Sequence, residues 1–183
     1  MQITKTRILV FCAFAAILNV VLGETVEMLH IPLLFLDTIG TIYIAANFGI
    51  LYGSLTGLVT NLFMVAFSGI LEFPFALVNI AVAIVVGLMA KKGFGLKTAV
   101  ITGVILSIVA PAIGTPIRLL LYGGFTGSGT DLLIFTLKAS GKSLLSSTFI
   151  GTVTGNFVDK IISCVLVSVL MNSPRFSRMA SLK

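Results

Sequence analysis

Two short polar patterns in this chain have the residue types and spacing for chemistry. Glu24, Glu27 and His30 stand three residues apart, so on a helix they fall roughly on one face, a spacing able to hold a metal ion. Asn156 and Asp159 repeat the three-residue spacing and offer a hydrogen-bonding wall instead. The inventory then excludes most reactions. His30 is the single histidine, so histidine-based intramembrane proteolysis lacks its parts. The segment Ser140-Gly141-Lys142-Ser143 ends like a nucleotide-binding P-loop, but the glycine required at position 136 is Thr136. No nucleophile–base pair stands out. An enzyme is not expected, and neither is a resident metal or cofactor; Glu24, Glu27 and His30 are read as the water-facing end of a helix.

The elements that must position these groups are long and apolar. The chain has 183 residues, of which 57% are hydrophobic and 10% charged, whereas about 25% charged is usual for a soluble domain. Runs of about 20 uncharged residues predict bilayer-spanning helices. Six spans are expected in a single all-α domain covering residues 1–183. They run over about 8–29, from after Asp37 to Phe48, then 50–70, 75–90, 96–121 and 147–170. The first is too long for a removable signal peptide and is followed by further spans. The net charge of +6 is read as flanking residues that orient the spans, with no nucleic-acid partner. Cys12 and Cys164 sit inside apolar runs and are read as small packing residues.

Lysine and arginine set the expected orientation. Lys5, Arg7, Lys91, Lys92, Lys97, Arg175, Arg178 and Lys183 fall on one side, and Arg118, Lys138 and Lys142 on the other. The bias places both termini in the cytoplasm. All six acids then fall on the outer half: Glu24, Glu27, Asp37, Glu72, Asp131 and Asp159. An ionisable group inside a span costs about 2.5–3.5 kcal/mol on insertion scales, so Asp37 and Asp159 need partners or a purpose. An outward-facing ligand pocket is expected from Asp37, Tyr43, Asn79, Arg118, Asn156 and Asp159, with aromatic lining from Phe35, Phe73, Phe75 and Phe157. Lys160 either pairs with an acid or reaches outward.

Small residues recur at helical spacing: Cys12, Ala16, Asn19 and Gly23; Ala45, Gly49, Gly53 and Gly57; Gly151 and Gly155. They suit close helix packing, within the chain or against a partner. Pro111 and Pro116 flank Gly114, where freed carbonyls face a cavity or the helix simply kinks. The Gly-, Ser- and Thr-rich stretch 122–146 is long enough for a lid, with a short interfacial helix around Leu132, Leu133, Phe135 and Leu137.

The run LDTIGTIYIAANFGILYGSLTGLVTNLF, residues 36–63, resembles the second and third spans of substrate-binding S components of energy-coupling factor (ECF) vitamin transporters. The matching features are Leu36–Asp37, Gly40–Thr41, Gly49, Gly53, Gly57 and Asn61. Length, span number and inside termini agree across essentially the whole chain. The resemblance implies a capture subunit in a bacterial plasma membrane that binds a water-soluble vitamin or precursor from outside. It implies docking on a transmembrane T subunit driven by two ATPase subunits, which alone use ATP. Family docking faces carry Ala-x-x-x-Ala in the first span; the nearest match here is Cys12-x-x-x-Ala16, with Ala13 beside it. By position, loops 30–36, 68–74 and 122–146 would cover the ligand. The LDTIG-type run leans toward a pyridoxine-like or other small heteroaromatic cargo, and the acid-rich outer half suits an amine. The rival readings are a stand-alone proton-coupled transporter using Asp159, a membrane enzyme and a purely structural membrane subunit.

Overall fold

Glycines punctuate the apolar runs and set where each helix stops. The computed structural model describes residues 4–173; Arg175, Arg178 and Lys183, counted above among the flanking charges, lie outside the described residues. Those residues form seven α-helices: α1 (Lys5–Met28), α2 (Ile39–Phe48), α3 (Ile50–Ser68), α4 (Ala76–Met89), α5 (Leu96–Tyr122), α6 (Asp131–Ala139) and α7 (Leu144–Asn172). A 3₁₀ turn, Ile70–Phe75, leads into α4. Gly49 and Gly69, at φ 89° and 95°, bracket α3 in a conformation that side-chain-bearing residues rarely adopt. Gly123 closes α5 in the left-handed region, with its N–H donating to the Leu119 carbonyl and that of Gly124 to the Arg118 carbonyl. The Ser143 hydroxyl accepts from Ser146 N–H and caps α7.

Five helical stretches are long and apolar enough to cross a membrane: Lys5–Met28, Ile50–Ser68, Ile70–Lys92, Leu96–Tyr122 and Leu144–Asn172. The second expected span is different. α2 has 10 residues and so is about 15 Å long, roughly half a hydrocarbon core. It starts deep in the bundle, because Gly40 lies against the Ala15 carbonyl midway along α1. It ends at the Gly49 turn and packs back on α3, Ala45 against Gly53.

Polarity is distributed inside out relative to a soluble protein. Phe14, Leu51, Phe67 and Leu120 are exposed, while Asn19, Thr41, Thr60 and Asp159 are fully buried. That is the pattern of helices surrounded by hydrocarbon, where association depends on close packing and interhelical hydrogen bonds. α3 and α4 run antiparallel, with Gly57 against Asn79 and Gly53 against Ala83. α5 and α7 do the same, with Gly103 on the Ile161 backbone and the Thr115 and Thr152 hydroxyls 2.9 Å apart. The two halves of the bundle differ. Around Ile42, Val82, Val86, Leu106 and Val167 the interior is apolar. Towards the end where α5 hands over to α6, it is polar and holds a cavity.

Candidate polar cavity

The loop between α1 and α2 builds one wall. His30, Leu33 and Leu36 all have positive φ, at 48°, 62° and 54°, and each such non-glycine residue costs about 1–3 kcal/mol. The loop is held in place from α7. Asp159 Oδ1 accepts from Phe35 N–H at 3.0 Å and from Leu36 N–H at 2.8 Å. Its other oxygen lies 2.7 Å from Lys160 Nζ. Lys160 reaches on to Asp37 Oδ1 at 3.3 Å and to the Thr38 hydroxyl at 2.9 Å. Two adjacent charges in the middle of α7 thus fix a chain segment more than a hundred residues away in sequence.

A second ion pair ties the opposite rim. Arg118, near the end of α5, is buried and contacts Asp131, the first residue of α6. Its Nε donates to the Gly124 carbonyl at 2.9 Å, and Asp131 Oδ2 accepts from Gly127 N–H at 2.7 Å. These contacts shape the α5–α6 loop, and Gly129 brings it against the carbonyls of His30 and Ile31. The two loops therefore meet over the cavity.

The cavity has a volume of about 150 Å³. Phe35 and Phe75 supply rings, Met64, Val78, Ala110 and Pro111 an apolar floor, and Glu27, Asp37, Glu72, Arg118 and Lys160 the charges. Thr115, Thr152 and Asn156 add hydroxyl and amide groups. One side is stiffened by a buried amide relay. Asn19 donates to Thr41 and Thr60 at 3.0 Å each, Thr41 donates to Asn79, and Asn79 donates to Asn61 at 2.8 Å. Asn61 in turn donates to the Glu72 carbonyl at 3.1 Å, linking α1, α2, α3, α4 and the 3₁₀ turn.

Of the residues expected to form a pocket, Asp37, Asn79, Arg118 and Asn156 line this cavity. Asp159 stands behind the wall, fully buried, as the anchor of the α1–α2 loop. Tyr43 faces away, packed against the Cys12–Ile44 cluster and the main apolar core. Phe73 and Phe157 lie outside the cavity, and α5 passes Pro111 and Pro116 without a break in the helix. Among the described residues no group of three or more His, Cys, Asp and Glu is placed to hold a metal ion; Glu24 instead accepts from the Ser68 hydroxyl at 2.8 Å. Cys12 and Ala16 point into the bundle, while Ala13 is exposed. Gly151 and Gly155 pack beneath Ile134 and Thr130, not on an outer surface.

Sequence reasoning did not assign Lys160, Glu27, Glu72, Thr115 or Thr152 to the cavity. For Lys160 a signal was present, since a lysine in mid-span needs a counter-charge. Its partner Asp37 is fixed by tertiary packing, which spacing within a helix cannot show. Compared with family models, with curated proteins and with solved structures, the chain matches none of them.

Proposed function

We propose that the protein is the substrate-capture subunit of an ECF-type importer, taking a small water-soluble vitamin or precursor from outside the cell. A transmembrane T subunit and two ATPase subunits would complete the transporter, since the chain has no P-loop of its own. The observation that carries this reading is the cavity: a polar, ring-lined chamber between two tethered loops, in a bundle whose other half has an apolar core. A chamber confined to one half of the bundle suits capture and hand-over. The sequence resemblance over residues 36–63 supports the same class, with a pyridoxine-like heteroaromatic as the first cargo to try. Both termini would lie in the cytoplasm, the cavity would open outward, and α2 with its descending loop would take the place of a full sixth span. Since Cys12 and Ala16 are buried, docking on α1 would use its outward side, beginning with Ala13.

The test is mass spectrometry of small molecules released from purified, detergent-solubilised protein, followed by thermal-shift titration of each compound found. A stoichiometric heteroaromatic compound that raises the melting temperature is the expected result. An empty preparation with no response to a vitamin panel would defeat the proposal. One observation favours a second reading: the Asp37–Lys160–Asp159 cluster, in which Lys160 and Asp159 are buried, is a candidate proton site. Uptake by proteoliposomes lacking any ATPase would select proton-coupled transport instead.

A further inference from the structure

The charges around the cavity do not balance, and the imbalance is local. Each cation in the wall already has an acid behind it. Arg118 contacts Asp131, and Lys160 contacts Asp159; neither acid lines the cavity. Asp37 does line it, but it shares Lys160. Glu27 and Glu72 are left over. Both line the cavity, and among the described residues neither makes an ion pair. Glu72 Oε1 accepts from the Tyr122 hydroxyl at 2.7 Å, which is a neutral donor. Glu27 feels the like charges of Glu72, Glu24, Asp37 and Asp131. Glu72 is partly buried and Glu27 is exposed; the two carboxylates repel with no cation of their own, and a cation placed between them would relieve that repulsion.

Size and wall chemistry narrow what would relieve this. A void of about 150 Å³ accommodates one six-membered ring. Phe35 and Phe75 line the cavity, and an aromatic ring stacks with a flat ligand and attracts a cation at its face. The structure assigns to this cavity a single-ring ligand carrying a positively charged nitrogen, received by Glu72 and Glu27 and not by Asp37. This rests on the capture reading above and adds the charge of the cargo and the residues that recognise it. Asp37, committed to Lys160, positions the loop. The amine would sit near the α1 and 3₁₀-turn side, and the ring would point down toward Met64 and Pro111.

The test uses three probes of one ring and nearly one size: benzylammonium, benzyl alcohol and benzoate. Each is titrated into the purified full-length protein by calorimetry, alongside the compound released from the preparation. Benzylammonium is expected to bind at least about tenfold tighter than benzyl alcohol, the scale of one charge-assisted hydrogen bond. Glu72→Gln and Glu27→Gln should each remove about that factor for the cation and leave benzyl alcohol unchanged, so a folding defect is separable from a charge effect. If benzyl alcohol or benzoate binds as tightly as the cation, or the released compound is an anion, the charge assignment is overturned while capture stands. If no probe binds and nothing is released, both are overturned.

Discussion

Asp159 shows how one side chain can matter for a site it does not line. It pairs with Lys160, and its Oδ1 holds two backbone N–H groups of a loop with three strained non-glycine residues. Breaking a buried pair by removing one partner costs about 3–5 kcal/mol, chiefly because the other charge is stranded. Asp159→Leu should therefore lower the melting temperature more than Lys160→Met, since it leaves Lys160 only the longer contact to part-exposed Asp37 and also orphans Phe35 and Leu36 N–H. Asp159→Asn, which keeps an acceptor for those donors, should fall between wild type and Asp159→Leu. Thermal unfolding in detergent checks the order, and equal losses for Asp159→Leu and Asp159→Asn would show that the backbone tether contributes nothing. The sequence exposed the charge at 159 as needing a partner. It concealed the type of partner, because a backbone donor has no signature in residue identity and its location depends on a loop folded from the far end of the chain.

At the level of elements, glycine placement separates positions that hold helices together from positions that leave room. A Cβ on Gly40 would lie 2.2 Å from the Ala15 carbonyl oxygen, within rigid helix backbone. Gly40 N–H also donates to Asn19 Oδ1 at 2.6 Å, the head of the amide relay. Gly40→Ala should push α2 off α1, break that relay and cost several kcal/mol, in the range of overpacked cores or above. Gly114 is the contrast: a Cβ there meets only Val78 Cγ2, at 3.5 Å, and the residue lines the cavity. Gly114→Ala should leave the melting temperature within about 1–2 °C, as a surface-like change does, yet reduce ligand affinity by filling the floor. Parallel thermal and binding titrations test the pair; a stable Gly40→Ala protein would show that α2 is not seated by this contact. The long helices were legible to within a few residues because their apolar length is a property of local sequence. α2 was read as a span for the same reason. Its ten residues are apolar enough, and what shortens it is the preceding loop, which descends into the bundle and is held there by Asp159 and Lys160.

Across the whole molecule the charges separate by end. The described cations Lys5, Arg7, Lys91, Lys92 and Lys97 gather where α1 begins, α4 finishes and α5 starts, with no acid among them. All six acids lie in the cavity half, against Arg118, Lys138, Lys142 and Lys160. Insertion follows lysine and arginine near the span ends, so this asymmetry predicts, in line with the proposed function, a cavity that opens away from the cytoplasm. The same arrangement would serve the proposed cargo, because an acid-rich mouth raises the local concentration of a cation before it binds. Orientation can be read directly on intact cells. Cys12 and Cys164 are buried and replaceable by alanine, leaving a background without thiols. On that background Ser140→Cys, exposed at the end of α6, should react with a membrane-impermeant maleimide from outside. Lys92→Cys, exposed at the opposite end, should react only after permeabilisation. The reverse pattern would turn the cavity toward the cytoplasm, which capture from outside cannot accommodate; the helices, the ion pairs and the preference for a cationic ring would then have to serve export or sensing of an internal solute.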